Sequence, residues 1–371
     1  VNCPIIACYN NPLDHDGYSG GLKIYDNSWN KQKNSNDSYP IYAEKDGNGG
    51  VLMEGMTAAR DNSLIMLEDD LNYVTGDLSK VRIMAGSSVT QAQIDALAVA
   101  SVGDSKYQFL TEAIGAAQDG QTVTLLADAT KDVVISKSIT LDLGGKTLTN
   151  TDAGKATISV QSGTVTVKNG NVVGGNDYYN IEAKKDANLT LTDVTATAGN
   201  TGSSMIDNWG TLTITSGTYT GGLNVVKSEE GSVLNISGGT FTRETAPRWG
   251  ITGTVLVYGT TTITGGTFNE KSTSTNARVV VTGRVDGYDS ITYVKGGTFN
   301  GNGNNVFHHL SPAQAGDSFE VSGGTFNKSI PDYYCADGFI PTKNAGGTYG
   351  VKEGQYVAKV GSKKYETLAE A

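Results

Sequence analysis

The side chains able to carry acid–base or metal chemistry are few and scattered along this 371-residue chain. His308 and His309 are adjacent in "NVFHHLS". On a strand, neighbours point to opposite faces, so the two cannot share a metal, and one packed and one solvated imidazole is the expectation. His15 lies in "LDHDGYSGG", where Asp14, Asp16 and Gly17 match the start of a calcium loop; the later acidic ligands are missing, which reads as a solvated turn. Cys3, Cys8 and Cys335 lack CxxC spacing and are too few for a disulfide framework. Free or semi-buried thiols are expected, with a Cys3 to Cys8 bridge as the alternative. No metal site and no cofactor is expected. The acid pairs Asp69 with Asp70 and Glu229 with Glu230 read as solvated faces. Only Arg278, Arg284, Asp286 and Asp289 gather in one stretch, and a glycan lyase or hydrolase would have to draw its carboxylates and base from there.

Recognition is better supplied than catalysis. Arg243, Arg248, Trp249, Arg284 and Tyr288 fall in or beside "TRETAPRWGITG" and "TGRVDGYDS", and with "NEKSTSTNA" these stretches lengthen an otherwise regular pattern. An exposed Trp beside Arg suits stacking on a sugar ring with hydrogen bonds to its hydroxyls. The competing reading has Trp249 pinning its loop to the body of the protein.

The pattern that positions these groups is a repeat. "ISGGTF", "ITGGTF", "VKGGTF" and "VSGGTF" recur, and alignment on the phrase puts an apolar or aromatic residue at Leu148, Val172, Ala196, Tyr219, Phe241, Phe268, Phe299, Phe326 and Tyr349. Neighbouring members lie between 22 residues (Tyr219 to Phe241) and 31 residues (Phe268 to Phe299) apart, a solenoid period that tolerates loop insertions. Before each phrase apolar residues alternate with polar ones, as in Leu234 and Ile236, so one face of a strand points inward. The paired glycines sit where one strand corners into the next, and Thr240, Thr267, Thr298 and Thr325 can stack as a ladder. Nine strands ~4.8 Å apart span roughly 40 Å.

These coils resemble the right-handed parallel β-helix of bacterial surface proteins, phage fibres and pectate-lyase-like enzymes, over about residues 138–351. The resemblance implies an all-β solenoid of about nine coils. Of the enzyme phrases of that group, "WiDH", "RxPxxR", "GHG" and "RIK" are absent from this sequence, and "NTD" occurs once, at residues 150–152, without the others.

Open solenoid ends need cover. "SKYQFLTEAIGAAQDG" predicts a capping helix over about 106–118, with Ser105 as N-cap, Gln108 completing a capping box, Gly120 ending it, and Tyr107, Leu110, Ile114 and Ala117 as its apolar stripe. "YVAKVGSKKYETLAEA" (356–371) repeats "LAVASVGDSKYQFLTEA" (97–113), with Tyr365 on Tyr107, Leu368 on Leu110 and Glu370 on Glu112. Three parts are therefore expected: an N-terminal mostly-β attachment module over 1–97, with a helix near Thr90 and Gln93; the β-helix module over 98–355, closed by "YYCADGFIPTKNAGGTYGV"; and the start of a next tandem module over 356–371.

The 28 basic and 38 acidic residues give net −10, which repels a phosphate backbone or an anionic membrane, and no apolar run approaches the ~20 residues of a membrane span. Nucleic-acid binding and membrane insertion are not expected. "VNCPIIACYNNP" carries neither a charged n-region nor an h-region, which leaves its compartment open. The expectation is a non-enzymatic fibre or adhesin on the bacterial cell surface. Its partners would be a host or cell-surface glycan or protein, tandem modules of its own chain, and further copies in a homo-oligomeric fibre. A phage virion fibre, displayed on the virion surface, is the first alternative; a polysaccharide lyase or hydrolase is the second.

Overall fold

In the computed structural model, residues 91–371 are described apart from 151–153, 175–177, 199–201, 246–249, 284–286, 303–304, 311–315 and 362; before residue 91 only the backbone of eight short strands is described. Contacts divide the chain into two units, Val1–Ala116 and Ala117–Ala371.

The second unit is a parallel β-solenoid, each turn contributing one strand to each of three sheets. In the first sheet the inward residues Val123, Leu141, Val167, Leu191, Ile214, Ile236, Ile263, Val294 and Val321 lie on one another in register. In the second, Ala129, Leu148, Val172, Ala196, Tyr219, Phe241, Phe268, Phe299 and Phe326 form the stack. The third runs from Val133 through Ile158, Ile181, Ile206, Val226, Val255 and Val280 to Phe307. Almost all of these side chains are fully buried, so the core is one continuous apolar column. Tyr219, Phe241, Phe268 and Phe299 stack nearly parallel with ring centroids 4.8 to 5.0 Å apart, the spacing that the strand ladder imposes. The threonine ladder is in register from Thr240 to Thr325.

The repeat thus reads the register correctly for Leu148 through Phe326 and departs from the structure at both ends. The solenoid has about seven turns, slightly fewer than the nine coils expected, although nine residues lie in register in each of the first two sheets. It begins at Thr122–Leu125, ahead of residue 138, because "TVTLL" alternates as a strand without a GGTF phrase. Tyr349 is not a rung: Tyr349–Glu353 folds back antiparallel on Phe339–Lys343, and Tyr349 pairs antiparallel with Phe326. This hairpin covers the edge of the last second-sheet strand, Thr325–Phe326.

The expected long helix is also shorter. Ser105–Tyr107 is a strand paired antiparallel with Ala100–Val102 through a tight turn at Gly103 (φ +56°), and the helix is Leu110–Ala116. Ser105 lies in a strand well before the first helical residue, Leu110, and so is not its N-cap. Leu110, Ala113 and Ile114 are the helix's buried face.

In the first unit the mostly-β expectation holds, and a short helix, Gln91–Ala96, follows Thr90. Its strands are nonetheless solenoid-like. Ile6, Ile41 and Ile65 pair in parallel register, as do Leu22, Val51 and Val74, while Ser28–Trp29 pairs parallel with Thr57–Ala58. Three strands recur in cyclic order without any GGTF phrase.

Candidate functional site

The corners of the turns are not equal. Between the first and second sheets the connection stays short at every later turn: residues 215–216, 237–239, 264–266, 295–297 and 322–324. The longer connections lie at the two corners that flank the third sheet, at 150–157, 174–180, 198–205, 244–251, 271–276 and 301–306 on one side and at 283–290 and 310–317 on the other. The lengthened stretches found in the sequence thus border one sheet from both edges.

Gly265 and Gly266 show why the short corner cannot vary. A Cβ on Gly265 would lie 2.2 Å from the carbonyl oxygen of Ser237 in the turn below, and Gly266 has φ +99°. One glycine permits close stacking and the other the turn itself.

On the third sheet, the residues between the core positions point outward. Ser159, Glu182, Asp207 and Lys227 form one outward column in register. Two residues further along their strands lie Gln161, Lys184, Trp209 and Glu229. The columns are cross-linked: Ser159 Oγ donates to Glu182 at 2.9 Å, Lys184 pairs with Glu182, Lys227 pairs with Glu229, and Trp209 Nε1 donates to Asp207 Oδ2 at 2.8 Å. Lys227 also lies over the Tyr258 ring, 5.6 Å from its centroid. Glu182, Asp207 and Glu229 are buried, whereas Trp209 keeps 36% of its surface in water. Glu229 therefore departs from the solvated face expected of it: it is buried and paired with Lys227.

Asp207 Oδ1 is buried and meets no hydrogen-bond donor. Burial first, and then the nearby Glu229 charge, push the Asp207 carboxyl up from 3.8 to about 7, against the opposing pull of the Trp209 hydrogen bond. The Tyr179 hydroxyl is pushed up for the same reasons, by burial and then by Asp207 and Glu229. Tyr178 and Tyr179 lie ring to ring at 4.7 Å beside this network. No phrase in the sequence marks these residues, since they sit on successive turns with unrelated neighbours. The only signal is parity: each lies one or three residues past an inward β-branched or aliphatic position.

The residues proposed from sequence divide. Tyr288 is exposed and stands near Gly231. Arg248, Trp249, Arg284 and Asp286 lie outside the described residues, as do His15, Asp14, Asp16, Cys3, Asp69 and Asp70. Arg243 is a correction: it is fully buried inside the solenoid, where Nε donates to Glu270 Oε2 at 2.5 Å and Nη1 to Leu223 O and Thr252 Oγ1. It has no surface to offer a ligand. Arg278 donates to the carbonyls of Thr275 and Ala277, and Asp289 stands against Gly316 in the next turn. His309 Nε2 faces Asp317 at 3.3 Å, and Cys335 is a free thiol whose burial pushes its pKa up to about 11.

Among the described residues, no group of three or more His, Cys, Asp or Glu side chains is arranged to hold a metal ion, and no helix is long and apolar enough to cross a membrane. Comparison with protein-family models, with curated proteins and with solved structures finds no match for the chain.

Proposed function

We propose that this chain is a non-enzymatic, surface-displayed structural protein of the fibre or adhesin type, in which the solenoid is a stalk that presents one decorated side to a glycan or protein on a cell surface. The observation that carries the reading is the restriction of every long insertion to the two corners flanking the third sheet. A stalk that only had to stack would keep all three corners as short as the one between the first and second sheets. Insertions on one side of a solenoid form its binding face in many repeat architectures. The outward side chains there, Trp209 and Tyr288 with Lys184 and Lys227, combine ring faces with charge, which suits sugars. The acidic, glycine-rich chain and its continuous core fit an extracellular place on a bacterial surface. The acids of the third sheet are buried under their own cations and rings, an arrangement that holds structure together rather than one open to a reacting sugar.

The experiment is binding of the full chain to a glycan array and to cells. The Trp249→Ala and Trp209→Ala variants are expected to lose binding while melting within a few degrees of the parent. Unchanged binding with a sharp fall in melting temperature would make both tryptophans structural pins and remove this face as the recognition surface. Incubation with acidic and neutral polysaccharides is expected to release no unsaturated or reducing ends. Turnover abolished by Asp207→Asn would overturn the non-enzymatic reading.

A further inference from the structure

The C-terminal segment is a structural copy of the hairpin that precedes the solenoid. Ala100, Ser101 and Val102 pair with Tyr107, Lys106 and Ser105, and, 258 residues on, Ala358, Lys359 and Val360 pair with Tyr365, Lys364 and Lys363. The turn glycines correspond, Gly103 at φ +56° and Gly361 at φ +61°. Even the flanking bond repeats, since Val99 N donates to Tyr107 O at 2.8 Å and Val357 N to Tyr365 O at 2.9 Å. An equal register, turn and flanking bond in two places show that one local sequence code is being read twice.

The two copies differ in how far their apolar side chains are buried. Val102 and Leu110 are 8% and 3% exposed in the first copy, and Ala113 is fully buried. Their counterparts Val360 and Leu368 are 55% and 78% exposed, Val357 is 54% exposed, and Ala371 is exposed as well. After the first copy the chain runs straight into a solenoid. Ala117, just past the helix, is buried and its carbonyl accepts from Lys137 Nζ at 2.8 Å, while Gly120 N donates to Ser138 O at 2.6 Å, which ties this stretch to a corner of the opening turns. An exposed apolar face on an element whose twin is buried needs the twin's cover.

We infer that residues 356–371 are an inter-module joint, and that Val357, Val360 and Leu368 form the seat for the first turn of another parallel β-solenoid carried on the same chain, of the kind built here by Thr122–Leu125 and Val133–Ile135. The solenoid-like strand pairing before Gln91 gives the same order of parts on the other side of the first hairpin: solenoid strands, hairpin and helix, solenoid, hairpin. The repeating unit is then joint plus solenoid. This inference stands apart from the ligand-binding proposal and survives its failure.

The test compares the full chain with the same chain carrying a copy of residues 114–355 appended to Ala371, so that the second joint runs into a solenoid as the first does. In the full chain, amides of 356–371 are expected to exchange quickly and Leu368→Asp to leave the melting curve unchanged. In the extended chain those amides are expected to slow by at least tenfold, and Leu368→Asp is expected to reverse that protection. Amides of 356–371 that stay fast beside a folded appended solenoid would overturn the inference. So would an appended solenoid that fails to fold while residues 117–355 remain protected, because the second joint would then be unable to do what the first does.

Discussion

Arg243 and Glu270 lie side by side on adjacent turns inside the solenoid, Nε to Oε2 at 2.5 Å, with both side chains withdrawn from water. The parity that buries Phe241 also buries Arg243 two residues on, and the same holds for Phe268 and Glu270. The corner where the second sheet passes into the third is therefore closed by an ion pair in place of an aromatic rung. Arg243 satisfies Leu223 O and Thr252 Oγ1 at the same time, which fastens the loop entering the third sheet.

Removing one partner strands the other charge in a dry interior. Glu270→Ala is expected to cost about 3–5 kcal/mol. Replacing the pair together by apolar residues of similar volume is expected to cost much less. Denaturant unfolding of the single and double variants checks both; equal losses would mean that packing, not charge, is what the site supplies.

Phe268 sits between Phe241 and Phe299, ring centroids 4.8 and 4.9 Å away, with no surface in water. Phe268→Ala is expected to cost ~3–5 kcal/mol as a buried large-to-small change. Phe268→Leu should recover part of the loss. A variant that melts like the parent would contradict the continuous aromatic column.

The glycine pair gives a sharper test of the corner. Gly265→Ala places a methyl 2.2 Å from Ser237 O, which is backbone and cannot move alone, and Gly266→Ala forces φ +99° on a side-chain-bearing residue. Each is expected to lower the melting temperature clearly, the strained φ alone costing on the order of 1–3 kcal/mol. Gly346→Ala, where a Cβ would meet nothing within 4 Å, is the control expected to be near neutral. Equal tolerance at Gly265 and Gly346 would mean that the turns are stacked less closely.

The buried carboxyl on the third sheet predicts a pH dependence. Asp207 holds its proton to about pH 7 in the folded chain and loses it near 3.8 when unfolded. Between those values the folded state binds more protons, so stability falls as pH rises from about 4 to about 7 and levels off above that. Asp207→Asn is expected to flatten this part of the profile and to raise stability at pH 8 relative to the parent. Parallel profiles of parent and variant from pH 5 to 8 would show that the carboxyl ionises freely.

The sequence by itself determined the solenoid and most of its register. A strand that must stack on a copy of itself, and a corner where a carbonyl crowds the next turn, leave the same phrase at every turn, and Leu148 through Phe326 could be placed from it. It also contained the duplicated hairpin sequence. It did not determine the ends, because Thr122–Leu125 and Tyr349–Glu353 are alternating strands alike, and only the partner available decides whether pairing is parallel or antiparallel. Nor did it determine the third sheet's network. Glu182, Asp207 and Glu229 are ordinary surface acids one at a time, and only stacking successive turns strand upon strand withdraws them from water and sets their charges against Lys184, Lys227 and one another.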